Sequence, residues 1–103
     1  VIQIGNFVTI AGYSSQLLTH SINIEKNIQD SNPIRVGDYC FVGTSSIILG
    51  GATLPSYSVL GANSLLNKSY SIPYRLYAGN PAKEIKQLSE DCQYFHRKVG
   101  FVY

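Results

Sequence analysis

Few residues of this chain have side chains suited to chemistry, and most of them stand alone. His20 follows Thr19 near the head of a long polar stretch. An imidazole titrates close to neutral pH, so a well-placed histidine can take up and return a proton as a general base. A solitary histidine is as readily a half-exposed polar group satisfied by a neighbour. What favours the chemical reading is position, beside a rigid scaffold and within a twenty-residue departure (16–35) from an otherwise regular pattern. Loops longer than about 12–15 residues in compact domains are usually functional or disordered. The other histidine, His96, stands beside Arg97 and Lys98, where solvation accounts for it. Cys40 and Cys92 lie far apart and make no metal-ligand spacing. Cys40 falls in a small inward slot of the repeat and reads as a buried thiol acting as a small hydrophobe. Nothing suggests an oxidising compartment, so a cytoplasmic location is expected. Lys68 and Lys83, taken singly, read as solvated surface charge.

The element that must position His20 is a repeat. From Val36 to Leu65 the chain cuts into sixes with Val36, Val42, Ile48, Leu54 and Leu60 in the first slot. The fifth slot is always small: Cys40, Ser46, Ala52, Ser58, Ser64. A helical period of 3.6 drifts out of phase with six, and an ordinary strand alternates only for a few residues. A fixed six-residue period points to a parallel β-helix, in which each side offers one aliphatic residue to an axial core. No side buries its residue alone, so the coils must stack.

Two further hexads occupy the start, Ile4–Thr9 and Ile10–Ser15, with Ile4 and Ile10 inward. Gly5, Gly12, Gly37, Gly43 and Gly61 fall at or near corners, where a residue without Cβ can adopt strained dihedrals. Residues 16–35 break the register and read as a loop extruded from a coil, with Leu17 or Leu18 and Ile34 still able to point inward. The solenoid ends near Leu66-Asn67-Lys68. Asn80-Pro81 is a turn signal, and Pro81 also suits a helix start. The tail from Ser89 has room for a short helix from Glu90 and a strand over Val99–Val102. The expected organisation is therefore a β-helix over residues 1–72 with an inserted loop at 16–35, and a C-terminal extension, 73–103, containing some helix and packing on it.

Composition narrows the function classes. Of 103 residues only 14% are charged, and the net charge is +2. The few cations form no stripe, which argues against nucleic acid and membrane surfaces as partners. No apolar run approaches the roughly 18 residues of a membrane span. The chain starts on Val1-Ile2 with no capping sequence, which points to a longer protein or an oligomer. The sixth slot, Phe41, Ile47, Thr53, Val59, Leu65, should face outward, and an apolar outer row suggests a partner surface. Three prisms packed about a threefold axis would close it; the C-terminal extension folding over the row within its own chain is the alternative.

The hexads, Thr19-His20, Gly61-Ala-Asn-Ser-Leu-Leu-Asn-Lys68 and Ala78-Gly-Asn-Pro-Ala-Lys83, in that order over residues 1–88, resemble the hexapeptide-repeat, left-handed β-helix acyltransferases. The nearest likeness is to the sugar and antibiotic O-acetyltransferase branch. The left hand of the β-helix is implied by the resemblance alone. The resemblance further implies that His20 is the general base, taking a proton from an acceptor hydroxyl or amine as it attacks acetyl-CoA. The thioester oxygen would meet the backbone N–H of Thr44, and the backbone at Ala62 would bond the pantetheine arm. Asn67 and Lys68 occupy the place of the usual Thr-Lys pair near the cofactor. The turn Asn80-Pro81 would border the coenzyme, and Lys83 and Lys86 would meet its phosphates as compact cations. The site would lie between subunits of a homotrimer, take a small-molecule or saccharide acceptor, and need no metal.

This chain departs from the family at Asn67, where Thr is usual, and at Leu54-Pro55, where many members have a branched residue and Gly. The leading expectation is acetyl-CoA-dependent O-acetylation of a sugar or polysaccharide precursor. N-acetylation of an amino sugar uses the same chemistry, and a non-catalytic β-helix used for assembly is a third reading. The metal-dependent carbonic-anhydrase branch of the fold needs three histidines, whereas the β-helical body has only His20.

Overall fold

A computed structural model describes residues 1–12 and 14–99. The described residues form strands β1 (Ile2–Ile4), β2 (Thr9–Ile10), β3 (Gln16–Leu18), β4 (His20–Asn23), β5 (Ile28–Ser31), β6 (Ile34–Val36) and β7 (Phe41–Val42). These continue as β8 (Ile47–Leu49), β9 (Thr53–Leu54), β10 (Val59–Leu60), β11 (Leu65–Leu66), β12 (Arg75–Gly79) and β13 (Ala82–Gln87). The strands line three faces of a prism. The first face is β1-β6-β9, the second β2-β7-β10 extended by β12 and β13, and the third β3-β8-β11. Within the prism all pairings are parallel, and in the central coils each residue meets the one 18 positions on: Val36 with Leu54, Phe41 with Val59, Ile47 with Leu65. The chain is thus a parallel β-helix, its regular structure nearly all strand.

The repeat does what its spacing requires. Val42, Ile48, Leu54, Leu60 and Leu66 are fully buried or within 1% of it, as are Cys40, Ser46, Ala52 and Ser58 in the small slot. Buried hydroxyls are satisfied: Ser46 Oγ donates to the Gly61 carbonyl at 3.0 Å, and Ser64 Oγ accepts from Gly79 N at 3.1 Å. A buried hydroxyl without such a partner would cost about 1–3 kcal/mol.

Three expectations need correction. Ile10 pairs with Val42 but Leu17 pairs with Ile48, so the second side of the first coil is seven residues long, not a hexad, and Leu17 is the inward residue. The corner glycines do not supply the left-handed backbone. That conformation falls on Tyr39, Ser45, Gly51, Tyr57 and Asn63, every sixth residue. Gly37 and Gly43 instead permit close stacking: a Cβ on Gly43 would stand 2.5 Å from Ala62 N, and one on Gly37 2.5 Å from Ser56 N. The sixth-slot residues are also not one outer row. Successive sides lie on successive faces, so Phe41 and Val59 share the second face, Ile47 and Leu65 the third, and Thr53 stands on the polar first face with Gln3 and Arg35.

The corner between the first and second faces carries an aromatic ladder. Phe7, Tyr39, Tyr57 and Tyr74 stack with centroids 4.8, 5.6 and 4.9 Å apart, each with φ between 55° and 59°. A left-handed conformation costs roughly 1–2 kcal/mol for a residue with a Cβ. Each stacked pair returns about 0.5–1.5 kcal/mol beyond its buried area, which offsets much of that strain. The tail covers the ladder. Phe95 meets Tyr57 and Tyr74 edge-on, Arg97 lies 3.9 Å above the Tyr94 ring, and Tyr94 Oη contacts Thr9 Oγ1 and the Cys40 carbonyl at 2.8 and 2.9 Å. The tail's helical part is a 3-10 turn, Gln93–His96, and the expected strand at Val99–Val102 runs beyond the described residues.

Candidate active site

The segment expected as a loop over 16–35 is mostly ordered strand. Its ends, β3 and β6, belong to the prism, and only β4 and β5 leave it, as an antiparallel hairpin. The hairpin opens from the corner between the third and first faces. Its root is closed by Asn32 N donating to the Thr19 carbonyl at 3.0 Å, and both residues rest over Gly50. His20 is the first residue of β4, exposed, and directly opposite Ser31 of β5. Two coils above, Asn67 and Lys68 follow β11 on the same corner, also exposed. The Lys68 carbonyl accepts from Thr53 N at 3.3 Å.

The remaining sequence-predicted residues gather on the corner between the second and third faces. Thr44 precedes β8, and its carbonyl accepts from Asn63 N at 3.0 Å, which locks it under Ala62 and Asn63. Gly61 N donates to the Tyr77 carbonyl at 2.9 Å, placing the β12–β13 turn on the coil above. Thr44, Ala62 and Asn80-Pro81 therefore ascend one edge in successive coils, and Ala62, Asn80 and Pro81 are exposed. No helix starts at Pro81. It sits in the hairpin turn between β12 and β13.

Lys83 and Lys86 are brought to one side by an irregularity. Tyr77 pairs with Glu84 and Leu76 with Lys86, so Ile85 is an extra residue, a β-bulge. Lys83 stands opposite Ala78 and Lys86 opposite Leu76, and Leu76 and Ala78 share one side of β12. In a regular strand, residues three apart would point oppositely. On the other side Arg75 and Glu84 pair at 3.6 Å. The tyrosines of the extension are packing groups: Tyr77 is buried and stacks on Tyr70 at 4.4 Å, and Tyr70 Oη donates to the Ala82 carbonyl at 2.7 Å.

The predicted residues thus form two clusters, His20-Asn67-Lys68 and Thr44-Ala62-Asn80-Lys83, at opposite ends of the third-face strands. The six-residue side from Thr44 to Gly50 puts up to about 20 Å between those corners. Gly50 and Ser31 escape a reading by residue type, although the Gly50-Gly51 pair marks the corner where the hairpin seats. Among the described residues no three His, Cys, Asp or Glu side chains cluster to hold a metal, and no helix is long and apolar enough to cross a membrane.

No family model matches the chain. A Staphylococcus aureus (strain COL) protein provisionally named as an acetyltransferase is 30% identical over 76 residues, covering 71% of this chain and 38% of that protein. A hexapeptide-repeat acetyltransferase of Vibrio cholerae O1 biovar eltor, solved with acetyl-CoA, superposes with a TM-score of 0.80 at 30% identity. It covers 86% of this chain and 50% of its own. A galactoside acetyltransferase solved with coenzyme A gives a TM-score of 0.79 at 25% identity, over 99% of this chain and 52% of that one. The chain spans about two fifths to one half of these relatives. With its six-residue repeat, its three-faced parallel coil and these likenesses, the chain belongs to the hexapeptide-repeat, left-handed β-helix family of acyltransferases.

Proposed function

We propose that this chain carries the coenzyme edge and the general base of an acetyl-CoA-dependent O-acetyltransferase that modifies a hydroxyl of a sugar or polysaccharide precursor. The observation that carries the reading is the exposed His20, held by a short rigid root at one corner, with an exposed backbone edge through Ala62 and Asn80 at the other. His20 takes the proton of the acceptor hydroxyl as its oxygen bonds to the thioester carbon. Negative charge then gathers on the former carbonyl oxygen, where a fixed N–H at Thr44 would stabilise it. As the carbon–sulfur bond breaks, the imidazolium returns its proton to the departing thiolate. Lys83 and Lys86, on one side of β13, meet the coenzyme's phosphates, and Asn67 and Lys68 border it from the other cluster.

The separation of the two clusters within a chain supports assembly. One subunit's His20 corner would face the next subunit's Thr44 corner, a heterologous contact that closes as a homotrimer. The test is thiol release from acetyl-CoA across a panel of neutral and acidic saccharides. His20→Ala should cut turnover by about 10²–10⁴ and leave acetyl-CoA affinity nearly unchanged. Near-normal turnover in that variant would remove His20 from the mechanism.

A further inference from the structure

The first face of the prism has a polar outer surface of its own. Gln3, Arg35 and Thr53 stand side by side across β1, β6 and β9, and Ser69 continues the row through a bridge to Thr53. Two shallow grooves, of about 400 and 460 Å³, meet along this row and share Gln3 and Arg35 as walls. The second groove also takes in Ser31, the residue opposite His20 in the hairpin.

Arg35 stands where the two grooves join. It is exposed, and its Nε donates to Gln3 Oε1 at 3.2 Å. Among the described residues it enters no ion pair, unlike Arg75 with Glu84. A guanidinium held at Nε keeps its terminal amino groups available as a fork, the geometry that matches carboxylate and phosphate oxygens. From Ser31 to Arg35 the backbone spans at most about 14 Å. Linked sugar rings, or a sugar and its phosphate, can bridge such a distance, and their hydroxyls would find Gln3 and Ser31 along the way, with Thr53 just beyond Arg35.

We propose that Arg35 anchors an anionic group, a carboxylate or a phosphate, on the acceptor saccharide, while the hydroxyl to be modified reaches past Ser31 to His20. The acceptor is then an acidic rather than a neutral sugar unit. This rests on the acetyl-transfer reading for the identity of the ligand, but the anion site itself can be measured without turnover.

Calorimetric or NMR titration of the intact protein with glucuronic acid, glucose 1-phosphate and glucose tests it, with acetyl-CoA titrated in parallel. At least one charged ligand should bind about tenfold or more tighter than glucose, the scale of charge-assisted hydrogen bonds. Preference for glucuronic acid assigns a carboxylate, and preference for glucose 1-phosphate a phosphate. Arg35→Gln should erase the preference, and Arg35→Lys should retain part of it, with acetyl-CoA affinity unchanged in both. Arg35 is exposed, so both variants should melt like the parent. Equal binding of charged and neutral sugars, or a preference that survives Arg35→Gln, overturns the proposal. So does loss of acetyl-CoA affinity in Arg35→Gln, which would assign Arg35 to the coenzyme. Failure of the parent protein to bind acetyl-CoA would instead sink the acetyl-transfer reading and leave the anion site standing.

Discussion

The Thr19 carbonyl oxygen occupies the space a side chain on Gly50 would need: a Cβ there would stand 2.7 Å from that oxygen and 3.1 Å from the Asn32 carbonyl. The corner of one coil therefore seats the hairpin root of the coil below, and His20 follows Thr19 directly. Gly50→Ala should lift the root by a fraction of an ångström to an ångström while leaving the buried aliphatic column intact. A displacement of that size in a reacting group can cost about 10²-fold. The expected outcome is turnover reduced roughly 10–100-fold with circular dichroism unchanged. Full turnover in this variant would show that the root is free to shift without consequence.

The bulge at Ile85 makes a second prediction. With Lys83 and Lys86 on one side of β13, each should meet a phosphate in the same ligand. Exposed pairs contribute about 0.2–1 kcal/mol each, so Lys83→Ala should weaken CoA up to about fivefold. It should weaken dephospho-CoA less if Lys83 reads the 3′-phosphate. Deleting Ile85 restores a regular register but leaves Lys86 opposite Leu76 and now two positions from Lys83, so both lysines stay on one side and CoA affinity should be nearly preserved. Inserting a residue instead of deleting one, between Glu84 and Ile85, should shift Lys86 out of that register and mimic its loss; binding indifferent to the insertion would separate Lys86 from coenzyme recognition.

Cys40 gives a pH prediction with a definite sign. Burial, reinforced by the charge of Asp38, raises its thiol from 9.0 to about 11, and its Sγ approaches the Pro55 carbonyl at 3.0 Å. The unfolded chain loses this proton near its ordinary value, whereas the folded chain holds it longer. The thiol's contribution is thus complete below about pH 9 and fades as the pH rises toward 11. Denaturation midpoints should fall across that window. Cys40→Ser should flatten the fall, because serine fills the same slot at Ser46, Ser58 and Ser64. The serine hydroxyl would have to keep the bond to the Pro55 carbonyl; without it the change would cost about 1–3 kcal/mol at neutral pH. An alkaline fall of the same size in the serine variant would place its origin elsewhere, in the tyrosines for example.

The inward column was legible because a three-sided coil imposes a period of six on every side, and residues from Val36 to Leu66 obey it without exception. What escaped depends on contacts between distant parts of the chain. A single extra residue between Ile10 and Leu17 changes the register without changing composition. The hairpin carried a weak period-two signal in Ser21-Ile22-Asn23-Ile24, hidden among polar residues. The extension reads as turn and helix by local preference, yet β12 is recruited as a strand by the open edge of β10. Unpaired strand edges attract pairing in this way. Of the candidate site, residue type and position marked His20 and the family resemblance marked the lysines, but their division between two corners follows only from folding the sixes into coils. The tail's partners, the stacked rings of Phe7, Tyr39, Tyr57 and Tyr74, are spread over 68 positions and become one surface only in the coil.

That surface supplies the last prediction. Phe95 is 5% exposed and meets Tyr57, Tyr74 and Tyr94 edge-on at 5.7, 5.5 and 5.9 Å. It therefore covers the corner where the left-handed tyrosines would otherwise face water. Truncating a buried phenylalanine costs about 3–5 kcal/mol, and in a domain of this size each kcal/mol moves the midpoint by roughly 4–8 °C. Phe95→Ala should accordingly lower Tm by roughly 12 °C or more. In a double-mutant cycle with Tyr74→Ala the two changes should couple by about 0.5–1.5 kcal/mol, the scale of one edge-to-face pair. The fall in Tm tests whether the tail belongs to the fold, and the coupling tests whether it acts through the ladder. A variant that melts with the parent would show that the C-terminal segment only rests on the prism, and additive changes would trace its contribution to contacts other than Tyr74.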